Sequence, residues 1–183
     1  VKYYRILDDL DCCSRWFLGD VNFSDKWSFW NYVTVRELPS VDTDLTISIR
    51  QDGNRLDLTM ADFEILIANN SVAELFLDND VLKVPIKITP RESATHFVLV
   101  IKKELDCINR ENSVFSIWEE GNNIRPDKAG QYRNFQKMFV DPGKIEELDI
   151  FRIKGFNVAV IVSERIKIAF ENQGLTGVKF KEV

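Results

Sequence analysis

In the stretch DCINRENS, Cys107 follows Asp106, and the only histidine in the chain, His96, lies eleven residues earlier. A cysteine nucleophile needs an imidazole within hydrogen-bonding reach of its sulfur, with both groups on one side of a cleft. The intervening run HFVLVIKKE reads as a strand, which would hold the two about 36 Å apart. The odd offset also turns them to opposite faces. A buried structural thiol is therefore the expected state of Cys107.

The other reactive residue types give no stronger pattern. Cys12 and Cys13 are adjacent, and a metal would need at least two further ligands at suitable spacing, so both read as structural thiols. The GKIEE run after Asp141 lacks the glycines before a phosphate-loop lysine and the hydroxyl residue after it, which leaves a turn. Asn22-Phe23-Ser24 and Asn69-Asn70-Ser71 match the glycosylation pattern, which has no use without secretion. The adjacent pairs Glu119-Glu120 and Glu146-Glu147 would diverge on a strand. No catalytic residue, metal site or cofactor is expected. Interface-type residues are better represented. Trp27, Phe29 and Trp30 cluster in KWSFWNY, and Trp118, Arg125 and Tyr132 are interleaved with acids in IWEEGNNIRPDKAGQYR. Trp, Tyr and Arg are the commonest interface anchors, although cores use the same aromatics.

The elements that would position these residues are mostly strands. KYYRIL (2–7), WFLGDV (16–21) and LTISIR (45–50) open the series. RQDGNR (50–55) reads as a hairpin turn in which Asp52 and Gly53 supply positive φ, with RLDLTM returning beside LTISIR. Ser71 and Glu74 have capping-box spacing for a short helix with Val72, Leu75 and Phe76 on its buried side, ending near Asn79. VLKVPIKI (81–88) and THFVLVIKKE (95–104) read as strands joined by the polar TPRESA loop. Pro85 marks the first as an edge strand or a bulge. Residues 105–137 look irregular, and long irregular segments are often functional. KMFV, the DPGK turn, DIFRI and FNVAVIVS follow as strands. SERIKIAFENQG reads as a helix capped by Ser163, with Ile166, Ala169 and Phe170 buried and Gly174 as its stop. VKF then closes the chain as a last strand. The pattern predicts an α+β fold with an antiparallel or mixed β-sheet and few short helices. It forms either one domain over 1–183 or two small lobes, an acidic one over 1–80 and an α+β one over 81–183.

With 45% hydrophobic residues and thirteen Phe in 183 residues, the chain can bury a substantial core. No apolar run approaches the roughly 18 to 20 residues needed to cross a bilayer, and VKYYRILDDLDCC lacks a signal-peptide core. An odd count of three cysteines suits a reducing compartment, so a cytoplasmic location without membrane contact is expected. The net charge of −5 is uneven. Residues 1–80 carry seven Lys or Arg against fifteen Asp or Glu, and residues 81–183 carry seventeen against fourteen. The acidic part repels nucleic acid and attracts a basic protein. Asp8, Asp9 and Asp11 supply its densest charge.

Several stretches resemble a bacterial polymorphic-toxin immunity-protein family typified by a myxobacterial protein. They are LDCI (105–108), RPDKAGQYR (125–133), FVDPGKI (139–145), IFRIKGF and VIVSERIKIAFENQGLTGVKF, with KYYRILDD and RWFLGD at the other end. The resemblance implies a non-enzymatic cytoplasmic antidote that binds and neutralises a cognate toxin or effector, and occlusion of the toxin's active site is the expected mechanism. Asp8, Asp9, Asp11, Trp27, Trp30, Trp118, Glu119, Glu120, Arg125 and Tyr132 are the candidate contacts. A small-ligand regulatory module is the main alternative, and a cysteine-dependent enzyme the lesser one.

Overall fold

The computed structural model describes residues 1–22, 45–61, 65–90 and 95–183. The described residues form thirteen strands and two short α-helices, with mixed and antiparallel sheets, in line with the expected α+β class. Six strands, in the order β2-β3-β6-β7-β5-β4, make one sheet: β2 (Phe17–Asn22), β3 (Leu45–Gln51), β4 (Leu58–Ala61), β5 (Ile65–Asn69), β6 (Val81–Thr89) and β7 (His96–Ile101). Five strands make the second, in the order β13-β1-β12-β11-β8: β1 (Tyr3–Asp8), β8 (Glu104–Leu105), β11 (Ile150–Ile153), β12 (Phe156–Ser163) and β13 (Val178–Glu182). β9 (Val114–Ile117) and β10 (Tyr132–Lys137) form a separate antiparallel ribbon. Both large sheets take strands from either side of residue 80, since β1 sits between β12 and β13 while β6 and β7 lie within the first sheet.

Strict alternation explains the layering. In β7, Val98 and Val100 point into the six-stranded sheet's own interior, while Leu99 and Ile101 point toward the five-stranded sheet. In β12, Val160 and Val162 join that shared core, and Ala159 and Ile161 face a third core with Cys107, Ile108 and Phe151. Strands buried on both faces need continuous apolar runs, which is why HFVLVI and FNVAVIVS lack polar alternation. Helix α2 (Glu164–Asn172) closes the shared core with Ile166 and Phe170. It ends as the sequence predicts: Gly174 has φ +63°, its N–H reaches Glu171 O, and the Leu175 N–H reaches Phe170 O.

The expected 50–55 hairpin does not form. β3 pairs with β2 and, in parallel, with β6, whereas β4 pairs with β5. Residues 52–57 instead carry the chain from β3, beside the edge strand β2, to the other edge strand β4, and the two edges approach each other so that the sheet curls into a nearly closed barrel. Gly53 is outside the positive-φ region. It is required by proximity, because a Cβ there would stand 2.4 Å from Ser14 O. Asn54 bonds to both Ser14 and Trp16 through its backbone and clamps this crossing.

Other expectations shift for local reasons. Helix α1 spans only Asn70–Ala73, and its cap is Asn69, whose side chain accepts from Val72 N, rather than Ser71. β6 lies inside the sheet, not at its edge, and Pro85 is accommodated because the pairing with β3 begins at Ile86. Ser163 occupies the N-cap of α2 without capping it, its hydroxyl donating instead to Asp149 Oδ1 at 2.5 Å. Residues 105–137 contain β9 and β10, and of KMFV only Lys137 is in a strand, with Val140 bridging to Ile108.

Candidate functional site

Cys107 is fully buried in the third core, and burial pushes its thiol up to about 11. His96 belongs to a different layer, pairing with Asn69 and Ile86 and meeting the Trp16 ring at 5.9 Å between centroids. The thiol is protonated at neutral pH, and the imidazole of His96 is not beside it. In the folded protein, iodoacetamide is expected to leave Cys107 unmodified while labelling the exposed Cys13. Mass spectrometry before and after unfolding reads the difference, and native labelling of Cys107 would contradict the packing. Among the described residues no cluster of three or more His, Cys, Asp or Glu is placed to hold a metal.

Asp8, Asp9 and Asp11 are each paired with a base within the fold. Asp8 accepts from the buried Arg15 at 2.7 Å, and Asp9 lies 3.4 Å from Lys179 Nζ. Asp11 pairs with the same lysine, and that bond holds its carboxyl below the ordinary range. Trp27 and Trp30, with Phe29, lie outside the described residues.

The remaining candidates gather on the β9–β10 ribbon and its connecting loop. Tyr132 is 7% exposed and faces the core, contrary to its expected place among the surface anchors. Its hydroxyl accepts from Arg110 Nε at 2.9 Å, and its ring packs on Phe115 and Phe135, which in turn meets Phe156. This aromatic stack fixes the ribbon to the five-stranded sheet. The Tyr132 N–H adds a bond to Gly155 O, in the turn between β11 and β12.

The loop beyond the ribbon is braced by itself. Trp118 exchanges backbone bonds with Gly130 and Gln131, and the Arg133 guanidinium covers its ring at 4.9 Å. Arg125 grips Asp127 through two bonds of 2.9 and 2.7 Å, which holds the Asp127 carboxyl below its usual range. The Asn122 side chain ties Glu119 O, Arg125 O and two backbone N–H groups into one turn. Glu119 and Glu120 stay exposed without an ion pair among the described residues. Apolar side chains are exposed alongside: Val114, Ile117, Phe139 and, at 82%, Ile124. Sequence reasoning missed these four. The uncharged alternation of SVFSI was the available signal, obscured by the Asn, Gly and Pro residues after it.

The described residues therefore present a partly apolar ribbon with exposed carboxylates beside it that have no ion pair among those residues. The immunity protein family (Imm11) model matches residues 87–183, somewhat more than half of the chain, and the chain belongs to that family. The match contains the whole ribbon and its loop, while KYYRILDD and RWFLGD precede it. No curated protein matches the chain. Membership assigns an immunity function with a protein partner such as a toxin, in a family that is generally non-enzymatic. Among the described residues no helix is long and apolar enough to cross a membrane.

Proposed function

We propose that this chain is a bacterial, cytoplasmic antidote that binds one cognate polymorphic toxin and blocks its active site by occlusion. Family membership carries the reading, and the surface is suited to it. A preorganised loop loses little conformational entropy on binding, so more of the contact energy becomes affinity. Trp118, Glu119, Glu120 and Arg125 form the centre of the proposed contact, with Trp27 and Trp30 as further aromatic anchors. Tyr132 supports it from beneath. Asp8, Asp9 and Asp11 set three carboxylates against Arg15 and Lys179, so they steer a basic toxin only weakly.

Co-expression with its cognate toxin should restore growth to a sensitive host. The purified pair should form a stable complex in which toxin turnover is abolished. Survival of toxin activity within that complex would exclude occlusion, and failure to form any complex would exclude the antidote role.

A further inference from the structure

Among the described residues the sheet edges are protected in different ways, with one exception. β13 carries the exposed Lys179 and Lys181, β8 is only two residues long, and β2 and β4 meet each other. β10 gives its Tyr132 N–H to Gly155 and carries Arg133 and Lys137. β9 has none of these devices. Val114, Phe115, Ser116 and Ile117 are uncharged and β-prone, and among the described residues β9 pairs with β10 alone. Proteins rarely leave such an edge bare, because its free N–H and C=O groups are a template for another strand.

The direction of those groups follows from the pairing. Trp118 exchanges both backbone bonds with residues 130 and 131. The extra residues at the two register shifts, Arg133 and Gln136, are on β10, so β9 keeps its alternation. The N–H and C=O of Ile117 and Phe115 therefore point away from the ribbon.

We infer that β9 accepts an added strand from the cognate toxin, extending the ribbon to three strands. This rests on the antidote reading and names how the partner docks. Charge selects the occupant. Exposed carboxylates without an ion pair among the described residues flank the strand: Glu111 before it, Glu119 and Glu120 after it. A second copy of this chain pairing antiparallel with Phe115 opposite its counterpart would set Glu119 of one copy opposite Glu111 of the other at both ends. Like charges directly opposite destabilise a sheet. A toxin strand that is uncharged in its middle, with Lys or Arg at each end, matches both the edge and its flanks.

Ile117→Pro removes an outward N–H and no bond of the ribbon itself. Calorimetric titration with an inactivated form of the toxin should show binding weakened roughly tenfold or more, since a toxin carbonyl is left without its donor. Ile117→Val, which keeps the amide, should bind within about threefold of the unaltered protein, on the scale of one lost methylene. Hydrogen exchange on the unaltered complex should show the Phe115 and Ile117 amides protected only when toxin is present, a readout independent of how the proline variant folds. Toxin binding without that protection would overturn the docking mode and leave the antidote role standing. No binding by the unaltered protein would overturn both. A homodimer in sedimentation that Ile117→Pro dissolves would assign the edge to a second copy instead.

Discussion

Gly177→Ala should unfold this protein at a much lower temperature than any surface substitution does. Gly177 has φ +114°, and a Cβ built on it would stand 1.8 Å from Leu58 O and 3.2 Å from Leu56 Cβ. The nearest atom is backbone, so no side-chain rotation relieves the overlap, and the residue also leaves the backbone region open to alanine. Residues 176 and 177 join the two large sheets at this point. The Leu58 N–H bonds to Thr176 O, and the Asp9 N–H bonds to Gly177 O. Asp57 accepts from Thr176 N at 2.8 Å and from its hydroxyl at 2.7 Å, while Asn69 Nδ2 reaches the other Asp57 oxygen at 2.7 Å. Moving Gly177 away from Leu58 would stretch that whole set. Strain and displacement together should cost about 3 to 5 kcal/mol, which for a chain of this size lowers the melting temperature by roughly 10 °C or more. Thermal unfolding followed by circular dichroism measures it, and a drop within 2 °C or so would mean that the sheets are not held together here.

Trp16→Ala should be nearly as damaging through a different cause. Trp16 is 1% exposed and fills the interior of the curled sheet with Leu45, Ile47, Ile67 and Val98. Its Nε1–H donates to the buried Thr59 hydroxyl at 2.9 Å, and Arg55 covers its ring at 4.6 Å. Truncation removes the largest side chain of that core and leaves Thr59 without its donor, for a combined cost of about 3 to 5 kcal/mol. Trp16→Phe separates the contributions. It keeps most of the volume and loses the indole hydrogen bond, so its cost should fall near 1 to 3 kcal/mol. Chemical denaturation of both variants gives the two values. Equal losses would assign the effect to the hydrogen bond, not the cavity.

The barrel around Trp16 explains why the two halves of the chain were unequally legible. In the second half, two of the expected strand pairs join neighbours in sequence. β6 meets β7 and β11 meets β12, so a period-two pattern and a turn between two runs suffice to place them. In the first half, β3 lies between β2 and β6 and does not meet β4, which pairs with β5, and this order curls the sheet around the core that Trp16 fills. A DG turn between two β-rich runs is a hairpin signal only when the runs pair with each other, and local sequence carries no information about that choice.

The sequence by itself determined the class of fold, the burial of Cys107, the Gly174 stop of α2 and the resemblance to an immunity family. Each rests on residue type or spacing within a few positions, or on stretches long enough to be matched. Tertiary structure decided what could be seen only once distant segments were in place. It turned Tyr132 inward under a stack of Phe115, Phe135 and Phe156, and it set Arg15 and Lys179 against the N-terminal aspartates. Among the described residues it also left β9 as an edge. Whether a side chain or a strand is free depends on every other segment that could reach it, and pairing across more than a hundred residues, as between Lys179 and Asp9, leaves no trace in local pattern.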